Sequence, residues 1–297
     1  MRIDLHAHSS VSDGTDTPAG LVRAAAAAGI DVLGVTDHDT SAGWAAAAVE
    51  AEALGVALVR GMEVSTRFRG RGVHLLAYLP DPAYPPLVTQ LRAVLEGRDA
   101  RVPGMVDRLR DLGVDLTVEA VRRVAGPTAA VGRPHVADAL VEAGYVASRA
   151  EAFDRYLSPG RPAYHGRAAV ELEAVLDVVR AAGGVCVVAH PWGRHDPGVL
   201  DAEGLAHLRS RGLVGIEVDH QDHDVAARAE LRGIARALDL VVTGSSDYHG
   251  TGKVDHDLGC NLTAPDELAR LLAAAEDAAR EAGRSGTPML WHGRAPV

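Results

Sequence analysis

His6 and His8 stand two residues apart at the end of a short apolar run, and Asp13 follows shortly after. Alternate side chains of a strand point the same way, so a His-x-His at a strand end lets two imidazoles reach one cation. The pattern recurs along the chain. Asp37, His38 and Asp39 close a second run, Glu63 a third, His190 a fifth, Glu217 to His220 a sixth, and Asp247 with His249 a seventh. His74 opens the fourth run instead of closing it, which calls for a short or tilted strand. A carboxylate such as Glu63 can bridge two cations and hold them about 3.5–4 Å apart, the spacing of two-ion phosphoryl chemistry. One histidine at a strand end is more often a hydrogen-bonded loop residue than a ligand. Chance placement does not explain His6, His8, Asp13, His38, Glu63, His74, His190, Asp247 and His249 together at separate strand ends. Imidazole and carboxylate ligation without thiolates suits two or three divalent transition-metal ions, Mn²⁺, Fe²⁺ or Zn²⁺, better than Ca²⁺ or a closed structural zinc.

Such residues need a frame that brings strand ends together. Strand candidates are Ile3–His6, Val32–Thr36, Ala57–Glu63, Val73–Leu79, Gly184–Ala189, Gly215–Val218 and Val241–Gly244. Helical patterns lie between them: Pro18–Ala28, Ala42–Leu54, Leu172–Ala182, Ala202–Arg211 and Ala226–Leu238. The first helix has Asp16 or Thr17 to cap it, Pro18 at its first position and Gly29 to stop it. Buried strands alternating with helices predict parallel βα units, and about seven of them suggest a barrel whose βα loops converge at one end. The alternation breaks between roughly 97 and 167, where helices over Val102–Leu112, Val118–Val124, Arg133–Ala143 and Arg149–Leu157 are expected. The predicted class is α/β: a barrel formed by 1–97 and 167–297, with a small helical insertion domain over 98–166.

Composition sets limits. Hydrophobic residues make up 47% of the chain, enough for a substantial core. The formal net charge of −10 argues against a surface for long duplex nucleic acid, although bound divalent ions would reverse the field locally. Of 30 basic residues only Lys253 is a lysine. Two cysteines, Cys186 and Cys260, make no disulfide framework. No apolar leader precedes Arg2, and no run of about 18 apolar residues is present, so a cytoplasmic protein without a membrane span is expected.

The blocks His6-Ala7-His8-Ser9 with Asp13, Thr36-Asp37-His38-Asp39, Ala189-His190-Pro191 and Ser246-Asp247-Tyr248-His249 resemble those of the PHP (polymerase and histidinol phosphatase) domain, in order and from end to end. The resemblance implies a distorted (βα)₇ barrel and a trinuclear centre. His6, His8, Glu63 and Asp247 would hold one ion; Glu63 would bridge to a second on His74 and His190; Asp13, His38 and His249 would hold a third. The insertion and its Val131-Gly132-Arg133-Pro134-His135 stretch are similar to the TrpH-like branch of 3′,5′-nucleotide bisphosphate phosphatases and RNase AM-type exoribonucleases. That likeness implies phosphate contacts from Arg133 and His135, and a substrate-facing His220. Arg133-Pro134 can also simply start a helix. Arg194 is either a second phosphate contact or a solvated loop charge. The implied activity is hydrolysis of a phosphate ester by a hydroxide activated by metal charge. Asp247 would be part of the catalytic centre, and His249 or His220 would donate a proton if free of metal. The expected substrate is a small nucleotide such as a 3′,5′-bisphosphonucleotide, with no obligate protein partner. Short 5′-phosphorylated RNA cut 5′→3′, histidinol phosphate, and a non-catalytic metal-binding regulatory role are the alternatives. His165, His195, His207, His223, His256 and His292 read as surface or loop residues.

Overall fold

The structure, a computed structural model, describes residues 1–166, 169–193, 197–284 and 289. Its strands are β1 (Ile3–Ala7), β2 (Val32–Val35), β3 (Ala57–Phe68), β4 (Arg71–Tyr78), β5 (Val170–Glu171), β6 (Val185–Val188), β7 (Gly215–Asp219) and β8 (Val241–Gly244). The helices are α1 (Pro18–Ala27), α2 (Trp44–Leu54), α3 (Pro85–Ala100), α4 (Val102–Asp111), α5 (Val118–Ala125), α6 (Arg133–Glu142), α7 (Arg149–Ala152), α8 (Leu172–Ala181), α9 (Ala202–Ser210), α10 (Val225–Ala237) and α11 (Pro265–Glu281). Local chemistry sets the ends: the Thr17 hydroxyl caps α1 by accepting from Gly20 N at 3.1 Å, and Gly29 follows it at a φ of 71°.

The strands run in the order β1-β2-β3-β4-β6-β7-β8. Beyond β8, Ala7 bridges Tyr248 and Asp247 N donates to His6 O at 2.9 Å, so the sheet curls into a nearly closed barrel. Two features differ from a run of parallel units. β3 does not stop at Glu63 but continues to Phe68 and turns into β4, which is antiparallel to both β3 and β6. β4 therefore enters the barrel from the end at which its neighbours leave it. His74, near its start, lies among the other strands' C-terminal ends with no need of a short or tilted strand. The short β5, invisible as an apolar run, pairs with β3 off the barrel path.

Strand alternation divides the core. One face, with Leu33, Val35, Leu58, Leu75, Val188 and Ile216, packs on α1, α2 and α8 to α10. The other, with Ile3, Leu5, Val59, Leu76 and Val187, packs with α11 through Leu268 and Leu271. A third apolar cluster, including Met105, Leu109, Val136 and Leu140, draws its members from Val102 to Ala163. Apolar burial at about 25 cal/mol per Å² is what holds each of these layers. Among the described residues no helix is long and apolar enough to cross a membrane.

Candidate metal centre

The strand ends deliver a compact group of buried imidazoles and carboxylates. His6 and His8, at and just past the end of β1, face each other with Nε2 atoms 3.0 Å apart. Glu63 Oε2 lies 3.4 and 3.2 Å from those nitrogens, and Asp247 Oδ1 lies 3.5 and 3.4 Å from them. The other oxygen of Glu63 meets His74 Nδ1 at 2.7 Å and His190 Nε2 at 3.1 Å. On the far side Asp13 meets His249 Nε2 at 3.3 Å and His38 Nε2 at 3.6 Å. Ligand atoms within 4.8 Å of one another form the groups His6–His8–Asp247, Glu63–His74–His190 and His8–Asp13–His249. His8 also groups with His38 and Glu63, so His8 and His38 sit between the clusters that the resemblance keeps apart. His190 and Asp247 reach the cluster from left-handed backbone, at φ 28° and 53°, a strain of order 1–3 kcal/mol each that tightly held functional sites tolerate.

The donor set fits cations. His6 Nδ1 donates to Glu217 Oε1 at 3.1 Å and His249 Nδ1 to Asp247 O at 2.9 Å, which turns each Nε2 lone pair inward. Lone pairs and carboxylate oxygens then converge, and only positive charge satisfies them. Burial opposes ionisation of Glu63, Asp13 and Asp247, yet neighbouring histidines, and for Asp247 first Lys253, hold all three well below the usual carboxylate range. Burial also opposes a charge on His8, but hydrogen bonds to Asp247 and Glu63 push its pKa up to about 9. His6 is likewise raised, against burial, by Asp247, Glu217 and Glu63. Protons here answer a demand that metal ions would meet.

Two of the residues expected on the substrate side are bonded within the protein. His220 is fully buried behind Asp247. Its Nδ1 accepts from Asp222 N at 3.1 Å, so Nε2 carries the proton and donates to Asp247 Oδ2 at 3.2 Å. With its distal nitrogen already an acceptor it is a poor metal ligand, although its atoms group with Asp247 and His256. Its Nε2 proton is held on Asp247, and the ring is enclosed by the protein. His135 is also withdrawn: Nδ1 accepts from Gly132 N at 3.1 Å and Nε2 donates to Ser12 O at 3.0 Å, so both ring nitrogens serve the protein. Arg133 does line the cavity over the centre, its guanidinium lying over Phe153 and Tyr164 at 5.5 and 5.7 Å from the ring centroids. Arg194, with His195 and His292, lies outside the described residues. His207 is exposed, whereas His223 and His256 are buried and hydrogen-bonded to Val218 O and Ser246 O.

Other residues act as partners of the ligands, and among them the strand-end pattern assigned no role to Lys253. Glu217 is buried in the middle of β7, bonded to His6, His190 N and Ser245 Oγ. Lys253 Nζ lies 2.5 Å from Asp247 Oδ2 and lines the cavity. Asp39 Oδ2, beside the centre, takes Arg98 Nε at 2.5 Å.

The pattern of the PHP domain matches residues 4–95. A 5′-3′ exoribonuclease of Haemophilus influenzae is 31% identical over 90% of this chain and 96% of its own length. A 3′,5′-nucleoside bisphosphate phosphatase of Chromobacterium violaceum is 34% identical over 86% of this chain and 90% of its own. A crystal structure from Bifidobacterium adolescentis, provisionally assigned as a metal-dependent phosphoesterase, superposes with a TM-score of 0.86 at 35% identity, covering 92% of this chain and 96% of that one.

Proposed function

The chain belongs to the PHP-domain family of metal-dependent phosphoesterases, and from that premise we propose that it removes one phosphate from a small nucleotide carrying two, of the 3′,5′-bisphosphonucleotide kind. In this reading 1–97 and 167–297 form the catalytic barrel and 98–166 an insertion that walls its mouth. The observation that carries the proposal is a cavity of about 1360 Å³ with a cation-seeking floor and a basic wall. At its floor lie Asp13, His38, Glu63, His74, His190, Asp247 and His249; on its wall lie Arg98, Arg101 and Arg133. Arg98 and Arg101 bring guanidinium nitrogens to 3.2 and 3.1 Å from where a Gly132 side chain would start, so two buried cations converge beside Arg133. Such a wall suits a second phosphate.

His6, His8, Glu63 and Asp247 would hold one cation, His74 and His190 with Glu63 a second, and Asp13 and His249, with His38 beside them, a third. When bound, the ions supply Lewis-acid charge and ionise a water near neutral pH, and Mn²⁺ is the ion we expect. The chain's own part is to place the ester. Arg133, held over two rings, offers a preset fork to the distal phosphate, and Arg101 stands behind it beside Arg98, whose charge Asp39 balances. Lys253 Nζ, a proton-bearing group at the floor, keeps Asp247 ionised and oriented.

A 5′→3′ exoribonuclease activity is the second reading, motivated by the Haemophilus relative. Against it stands the lining: its aromatic residues among those described are Phe153 and Tyr164, and Arg133 already lies over both, leaving little for successive bases to stack on. Phosphate release with Mn²⁺ from a 3′,5′-bisphosphonucleotide, short 5′-phosphorylated RNA and histidinol phosphate separates these. The bisphosphonucleotide should have the highest kcat/KM, and His8→Ala or Asp247→Ala should lose metal and activity together. Preference for RNA or histidinol phosphate would transfer the function to that substrate, and no turnover of any would leave a metal-binding regulatory module.

A further inference from the structure

Three side chains of the helical segment end on three consecutive backbone carbonyls of the loop that carries Asp13. Thr128 Oγ1 donates to Val11 O at 2.6 Å, His135 Nε2 to Ser12 O at 3.0 Å and Arg149 Nη1 to Asp13 O at 2.8 Å. None of the three donors is loose. Gly132 N bonds His135 Nδ1 and so places the His135 proton on Nε2. Arg149 is gripped by Asp138 through Nε and, at 2.6 Å, through Nη2. Thr128 Oγ1 also accepts from Ala130 N at 3.0 Å.

One carboxylate ties the first part of the loop to the barrel. Asp37 takes Ser9 N at 2.8 Å, Ser9 Oγ at 2.7 Å and Ser12 Oγ at 2.7 Å. Gly14 closes the loop so tightly that a side chain there would begin 2.3 Å from His8 O. Asp13 itself is buried, with its carboxylate turned to His249, His38 and His8. Barrel bonds reach residues on both sides of Asp13, through Asp37 to Ser9 and Ser12 and from Thr15 N to His249 O at 3.1 Å, while the helical segment supplies the bond to Asp13's own carbonyl.

We propose that the helical segment is a brace for Asp13, with Thr128, His135 and Arg149 as positioning residues that set the affinity of the cation site on Asp13 and His249, with His38 beside them. The proposal rests on the reading of that group as a metal site. Because α6 carries Arg133 toward the cavity and His135 toward the loop, the phosphate wall and this cation site share one rigid element.

The test titrates metal-free protein with Mn²⁺ and measures bound metal per chain, with Asp13→Asn marking which step belongs to this site. Arg149→Ala should weaken that step about 10- to 100-fold, the usual effect of losing a group that orients a ligand, while the other steps and the far-UV circular dichroism stay as in wild type. Arg149→Lys, which keeps a donor for Asp13 O, should recover part of the loss, and Thr128→Val should shift the same step by less. Wild-type affinity at every step in Arg149→Ala, or equal weakening of all steps, overturns the brace. A wild type in which Asp13→Asn removes no step overturns the metal reading beneath it, a result recognisable before any Arg149 variant is made.

Discussion

His8 belongs to three ligand groups at once, and its acid–base behaviour follows from that position. Its pKa rises from about 6.5 in an open chain to about 9 in the folded protein without metal. A raised folded pKa contributes stability that is fully present below about pH 6.5 and lost as pH climbs through 9. His6 moves the same way. Chelated protein should therefore show a falling unfolding temperature between pH 7 and 9.5, which calorimetry would record. Cation binding must displace these protons, so Mn²⁺ affinity should climb with pH up to about 9, by roughly tenfold per unit for each proton released. An affinity flat over that range would contradict the shared role of His8. At this scale much of the centre was legible, because His-x-His and Asp-x-His at strand ends carry their geometry in their spacing. His135 and His220 were not: a spacing names a residue, but its hydrogen-bond partners fix which nitrogen holds the proton, and those come from distant segments.

Strands place these groups, and their close packing can be tested at Gly34. A side chain on this β2 residue would begin 2.1 Å from Leu5 O, in the strand that delivers His6 and His8. Gly34→Ala should push β1 from β2, destabilise by about 1–3 kcal/mol or more, and lower metal affinity in the same variant. Unchanged thermal unfolding and metal content would show that the sheet yields without cost. Strand positions could be read from apolar runs, but not the direction of β4. An apolar run reads alike in either direction, and only the continuation of β3 past Glu63 into a tight turn makes β4 antiparallel. Direction matters here because it alone puts His74 at the working end.

The whole molecule combines the barrel layers with an apolar cluster confined to Val102–Ala163. Leu140 is fully buried in that cluster, and Leu140→Ala should cost about 2–5 kcal/mol. Hydrogen exchange should locate the loss: amides of α4 to α6 should exchange faster while those of β1 to β4 keep their protection. Faster exchange throughout would mean the two parts unfold as one. The break in alternation exposed this segment in the sequence, but its grip on the Asp13 loop depends on tertiary contacts more than a hundred residues apart and left no local pattern. One last feature reaches across the entire chain. Lys253, the only lysine in the sequence, is the residue paired with Asp247. Besides the N-terminal amine, an acylating reagent or a lysine-specific protease has a single address in this protein, at the floor of the cavity. Covalent labelling of that one position, and its protection by metal or substrate, would report occupancy of the site without any assay of turnover.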